Sequence, residues 1–546
     1  MNLLALLLLL TAAPSLHGQA PGWDTLFTRI PVLGSPEEER LRLRQLAGAA
    51  MLDGHMLRST SILLSQRDTL STEDVGPRLT ILGPDVHTVY NSALPFSLND
   101  GPLWAGRGIS NRVTMGARLR WRAVDLVLAP QFLFEANEAF QTFSYPDPNR
   151  PLARDPLASP FHYPPGSMDL PQRPGTGARS YVDPGQSSLT IAAGAVAFGV
   201  ATENIWWGPG IRNALLLSAQ APGVRHLFVR TARPLETKLG SIEGRWMVGR
   251  LDESDWFDRD RTNDHRSLSA LAVVFTPSFD AGLAVGVARA VYAPAEDGAL
   301  PLHAAWDVFR DVGRPSAAPG DTLVAAGPDQ LLTLFARWVF PGSGFEFYGE
   351  WGRYEQPASV RDFLELPQHS RGWTAGLQYA LPVALGRLGN GGTFRLETEI
   401  TSLEPSTSYR VRPFGEWYAS RRVPQGYTHK GQVLGAAIGP SGSSQWLALD
   451  IFANRWRAGV FGGRIRWENQ AQYNYLRELR RGDVTLWTGL RADADLGLLR
   501  VSAEYSPSVR LNYLFQSWYV EGDAERGVDI RNRTLKLTVS TGTHRP

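Results

Sequence analysis

The sequence predicts an all-β chain, a transmembrane antiparallel β-barrel with a small helical region near its N-terminus. Three observations carry this expectation. Strand-period alternation of charged and apolar residues recurs along the chain, no long apolar helix follows residue 20, and short turns alternate with long polar connections. Thr393 to Ile400 reads Thr-Phe-Arg-Leu-Glu-Thr-Glu-Ile, with charge on one parity and mostly apolar bulk on the other. A strand sends successive side chains to opposite faces, so this segment has one ionic and one oily face. The pattern returns at Arg118, Arg120 and Arg122 around Leu119 and Trp121. It returns again at Arg464, Arg466 and Glu468 around Ile465 and Trp467, and at Arg500, Ser502 and Glu504 around Leu499, Val501 and Tyr505. A soluble sandwich would bury the apolar face. A barrel with a wet, charged lumen would turn it to lipid. The rest of the chain discriminates between them.

Residues 1–20 read as a signal peptide. Leu3 to Leu10 is nearly continuous leucine, and Gly18-Gln19-Ala20 supplies small residues for cleavage, although the positive n-region is missing. Residues 21–75 form the expected helical or plug region. Ser35 is placed as N-cap, Pro36 in the first turn and Glu38 to complete a capping box. Leu43, Leu46, Ala47, Ala50 and Met51 follow on one face, and Asp53-Gly54 is the expected stop. This helix is expected at the periplasmic end of the barrel; a plain surface helix is the alternative.

Residues 76–546 are assigned to the barrel. Strands are expected near 113–123, 188–200, 225–233, 240–251, 267–277, 282–292, 330–340, 344–353, 371–382, 392–402, 445–453, 458–468, 484–494, 497–506 and 532–541. Tight turns fall at Phe279–Gly282, Pro341–Gly344, Gly389–Gly392 and Asp493–Gly497. Long connections fall at 141–187, 252–266, 293–329, 354–370 and 403–431. Short turns at one end and long loops at the other suit a bacterial barrel with its loops outside the cell. The segments 201–224 and 454–483 fit no consistent up-down assignment. Tyr145 to Pro184 is proline-rich and cannot supply interior strands, since proline lacks the ladder donor; it reads as an extracellular loop or lid. At the C-terminus, Leu535, Leu537 and Val539 alternate with Lys536, Thr538 and Ser540 as a closing strand, and the chain ends without the usual terminal aromatic residue.

Composition narrows the partners. The net charge is +2, from 55 basic and 53 acidic residues interspersed along the chain, so no basic stripe points to nucleic acid. Only Lys238, Lys430 and Lys536 are lysine; the arginines suit a lumen crowded with carboxylates, although GC-rich coding would give the same bias. Absence of cysteine fits an oxidising destination and excludes a disulfide scaffold. The 10% aromatic content suits interfacial girdles.

One block is more specific. Glu203-Asn204-Ile205-Trp206-Trp207-Gly208-Pro209-Gly210 continues through Ala214-Leu215-Leu216-Leu217-Ser218-Ala219-Gln220-Ala221-Pro222-Gly223. With Asp169, Pro171 and Arg173 upstream, and Arg233-Pro234, Glu243, Ser254, Glu350, Arg353 and Gly426-Tyr427 downstream, this resembles the capsule-assembly protein Wzi family. Ala219-Gln220 departs from the pattern, where asparagines are expected. The resemblance implies an outer-membrane barrel of eighteen strands, a helical bundle closing its periplasmic mouth, and a lectin-like outer surface that binds capsular polysaccharide. With the strand reading, the barrel is placed at about 16–18 strands.

Sugar rings need flat aromatic faces with carboxylates, amides and arginines beside them. Tyr163, Tyr181, Trp256, Trp306, Trp417 and Tyr427 lie in or beside the long connections and are the candidates for carbohydrate binding; each could instead be a girdle or packing residue. Glu203, Asn204, Trp206, Trp207, Gly208, Pro209 and Gly210 are assigned a structural or lumenal role. Catalytic chemistry is not expected: no metal-ligand histidine spacing, no Gly-x-Ser-x-Gly and no phosphate loop occurs. Glu397 and Glu399 share a face with Arg395, which points to lumenal ion pairing. The sequence is therefore read as a monomeric, cofactor-free and metal-free outer-membrane lectin, in contact with lipid and with capsular or other extracellular polysaccharide. The alternative is a porin-like channel for small solutes or oligosaccharides, and a soluble β-protein is the third possibility.

Overall fold

The computed structural model describes residues 27–48, 55–69, 78–142, 157–159, 161–162, 167–258, 260–295, 301–310, 312, 327–357, 359–386, 391–412, 414–475, 481–520 and 523–542. The signal segment 1–20, Ala50, Met51 and Asp53-Gly54 lie outside them. Among the described residues, eighteen antiparallel strands close into one barrel. They are β1 (Arg78–Asn91), β2 (Gly108–Trp121), β3 (Val124–Leu128 with Gln131–Glu135), β4 (Arg179–Asp183 with Ser188–Ala193), β5 (Val196–Ala201) and β6 (Arg225–Thr231). Next come β7 (Gly240–Asp252), β8 (His265–Pro277), β9 (Leu283–Pro294), β10 (Asp329–Phe340), β11 (Phe345–Arg353) and β12 (Arg371–Val383). The last six are β13 (Gly392–Ser402), β14 (Ser443–Phe452), β15 (Trp456–Arg466), β16 (Val484–Asp495), β17 (Leu499–Leu511) and β18 (Ile530–Thr541), and β18 pairs with β1 to close the ring.

All turns at one end are short and all connections at the other are long, as the sequence predicts. Two expected boundaries change. The expected strand 188–200 is a hairpin, because Gly194 takes φ +65° and turns β4 into β5. The proline-rich stretch does supply a strand segment: Arg179–Asp183 pairs with Gln131–Glu135 in a gap between prolines.

Outward parity on the wall is apolar. Arg395, Glu397 and Glu399 are buried inside while Ile400 faces out at 42% exposure, and Leu535 and Leu537 are likewise exposed. One parity is reversed from the sequence reading. On β15, Ile465 points inward with Phe461, beside Trp446 and Trp487, and Arg464 and Arg466 point outward. Arg464 donates to Gln445 on the same outer face, 3.2 Å away. The lumen is ionic near the short turns but apolar nearer the long loops, so charge alone does not mark the inside.

The ionic part receives the N-terminal helices, α1 (Pro36–Leu46) and α2 (Thr60–Thr69). Ser35 caps α1 by accepting from the Glu38 amide at 3.4 Å, and Glu38 accepts from the Gly34 amide at 2.6 Å. The helix ends at Leu46, short of the expected stop, and Gly48 follows at φ +84°. Its apolar face, Leu43 and Leu46, packs on Val339, Ala380 and Phe452 of the wall. Its charged face is clamped all round. Glu37 meets Arg500 at 2.7 Å, Glu39 meets Arg395 at 3.0 Å and also Arg457, Arg40 meets Asp493 at 3.3 Å, and Arg42 meets Glu346. A buried ion pair needs such mutual cover, because each charge has lost its water.

Candidate functional site

The tryptophan-glycine-proline block forms part of the connection between β5 and β6, and that connection turns into the lumen. Ile205–Trp207 pairs antiparallel with Leu57–Ser59, placing Trp206 opposite Arg58 and Trp207 opposite Leu57. The connection is thereby stitched to the N-terminal region. Glu203 is buried and accepts from the Ser61 amide and hydroxyl, both at 2.8 Å, with Arg245 at 3.4 Å. Asn204 donates to the Ala221 carbonyl at 2.8 Å and accepts from Gln186 at 2.8 Å. Arg58 lies over the Trp206 ring, 5.0 Å from its centre, and donates to the carbonyls of Gly208 (3.2 Å) and Gly210 (2.7 Å).

The Gly208-Pro209-Gly210 bend needs its glycines. Gly208 takes φ +99°, and a Cβ on Gly210 would sit 1.9 Å from the Asn213 carbonyl oxygen. Two wall carboxylates then hold the turn. Glu399 accepts from the amides of Ile211 (2.6 Å), Arg212 (3.1 Å) and Asn213 (2.8 Å), and Glu350 accepts from that of Leu215 (3.0 Å). Gln220, which departs from the motif, still bonds: its side chain accepts from the Asn99 amide at 2.6 Å. These polar groups are spent on each other, and the block anchors a plug.

Above it the connection between β13 and β14 also folds inward. Tyr418 donates to the Leu215 carbonyl at 2.9 Å and accepts from the Ala436 amide at 2.8 Å. Trp417 and Tyr427 are 1% and 0% exposed. Trp417 fills the space left by Gly352 and Gly372, where a Cβ would come within 3.0 and 2.7 Å of its ring. Tyr427 lies between Tyr292 (5.2 Å) and Tyr418 (6.0 Å). Neither ring has a face left for a sugar, so both are corrected from surface candidates to packing residues.

Tyr181 and Trp256, in contrast, are brought together at the long-loop rim. Arg179, two residues before Tyr181 on the same strand face, lies 5.2 Å from the Tyr181 ring centre and 5.0 Å from that of Trp256. Glu135, across the strand pair, fixes both neighbours: it accepts from Arg179 at 2.5 Å and from the Tyr181 hydroxyl at 2.9 Å. Arg173 donates to the Asn137 side chain at 3.2 Å and carbonyl at 2.5 Å, which holds the following turn beside the Trp256 indole, where a Cβ added at Gly175 would lie 3.6 Å from the ring. Trp256 remains half-exposed, flanked by Asp255, Asp258, Asp260 and Arg261. In this loop burial pushes the Glu253 carboxyl up to about 8, with Asp258 and Asp169 adding repulsion against the lowering effect of the Gln425 amide. The arrangement offers an aromatic face, a guanidinium and carboxylates within one patch, which is the chemistry of sugar recognition.

Tyr163 lies outside the described residues. Trp306 is on the outer wall of the barrel, away from the other candidates, against Trp246 at 4.8 Å. Arg179 and Glu135 were not singled out by the sequence reading. The signal was present, since Arg179 and Tyr181 share strand parity, but their cross-strand neighbour and Trp256 come from distant segments. Among the described residues, no group of three or more His, Asp or Glu side chains is placed to hold a metal ion.

The model of the family described as capsule assembly protein Wzi matches residues 103–451, more than half of the chain. Among solved structures, the chain is similar to the Escherichia coli Wzi barrel, described as an outer membrane protein involved in group 1 capsule assembly and as a carbohydrate-binding β-barrel. That match has 11% identity and a TM-score of 0.55, covering 95% of each chain. The Acinetobacter baumannii OccAB4 structure aligns at 7% identity and a TM-score of 0.38, over 86% of this chain and 99% of that one. Among curated proteins none matches.

Proposed function

This chain belongs to the capsule assembly protein Wzi family, and on that premise we propose that it holds an acidic capsular or other extracellular polysaccharide at the cell surface, binding it without turnover. It is an outer-membrane barrel with surface-exposed loops, so the short turns face the periplasm. The solved Escherichia coli relative is described as carbohydrate-binding, which supports the same role here. The rim patch of Arg179, Tyr181 and Trp256 is the binding element in this reading. A stacked guanidinium supplies charge for an acidic polymer while the rings supply flat apolar area.

The observation that carries the reading is the filled lumen. The N-terminal helices occupy the periplasmic half, and the 202–224 and 414–442 connections occupy the outer half, bonded to one another and to the wall. A porin-like channel would require these to leave together. The protein acts as a monomer in this reading.

Immobilised protein should retain an acidic polysaccharide at low salt and release it as salt rises, because exposed charge contacts are screened. A strain lacking the protein should shed polymer into the medium. Cells that keep their polymer after deletion, together with large steady conductance of the purified protein in planar bilayers, would establish the channel instead.

A further inference from the structure

Part of the connection between β9 and β10 lies on the wrong side of the wall for a surface loop. The 3-10 helix Leu302–Phe309 packs against the outer faces of β7, β8 and β9. Trp246, Ser269 and Arg289 there have outward parity, alternating with lumenal Arg245, Ala270 and Ala288. All three are capped by backbone of this flap. The Trp246 indole and the Ser269 hydroxyl donate to the Ala305 carbonyl at 3.0 and 2.8 Å, and the Val308 amide donates to Ser269 at 3.2 Å. Arg289 donates to the carbonyls of Val308 (2.9 Å) and Arg310 (2.8 Å) and to the Gln330 side chain (3.0 Å).

The height of this patch identifies what surrounds it. Outward positions on a tilted strand climb about 5 Å per two residues, so an apolar band about 25 Å tall takes about five of them. On β9 these run Leu283, Val285, Val287, Arg289 and Val291, so Arg289 falls inside the band. The flap replaces this polar spot with apolar surface. Its inner residues Ala304 and Val308 are buried, whereas Leu302, Trp306 and Phe309 are 56%, 60% and 54% exposed. The Trp306 ring lies tilted against Trp246 (4.8 Å) and Phe309 (5.7 Å), and the exposed rings of Trp306 and Phe309 add to the outward apolar surface of Val285, Val287 and Leu334. Asp307 and Arg310 pair at 3.0 Å beside this face. An apolar face with a polar margin is the pattern of an interfacial membrane element.

We propose that residues 301–310 are a membrane-inserted collar, with Leu302, Trp306 and Phe309 seated among the lipids of the outer leaflet. Trp306 is accordingly a lipid anchor and not a sugar-stacking residue. The proposal rests on the barrel spanning the membrane, and the test separates the two.

The chain contains no cysteine, so single replacements Trp306→Cys and Phe309→Cys can each carry an environment-sensitive fluorophore. Leu334→Cys reports the wall belt, and Leu364→Cys, on the exposed helix Val360–Glu365, reports solvent. Each labelled protein is reconstituted into phosphatidylcholine vesicles with and without brominated acyl chains. Labels at 306 and 309 should emit blue-shifted light, lose intensity in brominated vesicles and ignore iodide, matching 334 and opposing 364. Iodide quenching at 306 and 309 with lipid quenching at 334 overturns the collar alone. Iodide quenching at 334 as well overturns the barrel reading and the collar with it. Protection from iodide that appears only on adding polysaccharide, or only as protein concentration rises, assigns the face to glycan or to a second copy and equally overturns the proposal.

Discussion

Replacing Glu346 with glutamine should loosen the plug, and by more than the same change at Glu39. Glu346 is buried on β11 and receives Arg42 of α1 (Nε at 3.0 Å) and Arg337 of β10 (2.7 Å). Two guanidiniums thus share one carboxylate, and among the described residues neither has a second carboxylate partner. The Tyr348 ring, 5.0 Å from Arg42, is the remaining cover. Glu346→Gln strands two buried cations, and breaking a buried pair from one side costs about 3–5 kcal/mol. That is about two to four powers of ten in the ratio of docked to released α1. At Glu39 the loss is shared differently: Arg395 keeps Asp450 (2.7 Å) and Glu397 (3.2 Å), and Arg457 keeps Asp493 (2.7 Å). Glu39→Gln should therefore cost about 1.5–3 kcal/mol, the range for hydrogen bonds to charged groups. Native-state hydrogen exchange of the α1 amides reads the opening free energy directly. Equal protection in Glu346→Gln and the parent, or a larger effect at Glu39, would refute the shared-carboxylate argument.

Acid should leave α1 held at full strength down to about pH 4.5, the ordinary glutamate value: burial raises the Glu39 carboxyl, but Arg457, Arg395 and Arg491 outweigh it and hold it far lower. A depressed carboxylate gives its full stabilising contribution above the released-state value of 4.5 and loses it progressively as pH falls from there through the folded value. Exchange of α1, corrected for intrinsic rates, should therefore stay flat down to about pH 4.5 and rise only below it. The outer loop layer should respond in the opposite direction. Burial, with Glu468 adding repulsion, pushes Glu416 up to about 8, and burial pushes Glu468 up to about 7. Folded protein then holds protons that unfolded chain releases above 4.5, so the layer should lose protection as pH rises from 4.5 towards 8, and Glu416→Gln should flatten that loss. Gly210→Ala should lower stability by about 1–3 kcal/mol through overpacking at the bend, visible as a lower melting temperature with the strand circular dichroism retained. Arg179→Ala should weaken retention of acidic polysaccharide and make the remaining binding less salt-sensitive; unchanged retention would move the site away from the rim patch.

Most strands were legible because the wall is read locally. At Thr393–Ile400, the inward positions Arg395, Glu397 and Glu399 carry charge and the outward Phe394, Leu396 and Ile400 are groups that lipid accepts, so two-residue parity suffices. The same rule assigned β15 backwards. Ile465 and Arg464 alternate as clearly as Leu396 and Arg395, but the inward neighbours of Ile465 are Phe461 on its own strand and Trp446 and Trp487, brought by register from the two flanking strands. The stretch 202–224 fits no up-down assignment because it is neither a wall strand nor an outside loop: its partners are residues 57–59, Glu350 and Glu399. For the aromatic candidates, proximity to charged residues could not distinguish Trp256 at the rim from Trp417 in the interior. That difference depended on Gly352 and Gly372 leaving room for an indole inside.

What the sequence by itself determined is the two-faced wall, the alternation of short and long connections, the capped helix before it and the motif that marks the family. These are local, because strand parity, turn glycines and helix caps act over a few residues. Tertiary structure decided which way particular long connections fold: 202–224 and 414–442 into the lumen as packing, and the described part of 295–328 down the outside against the wall. That choice depends on matching buried donors and acceptors on different elements, 135 residues apart for Leu215 with Glu350 and 19 for Val308 with Arg289, and no two-residue parity or turn pattern encodes it.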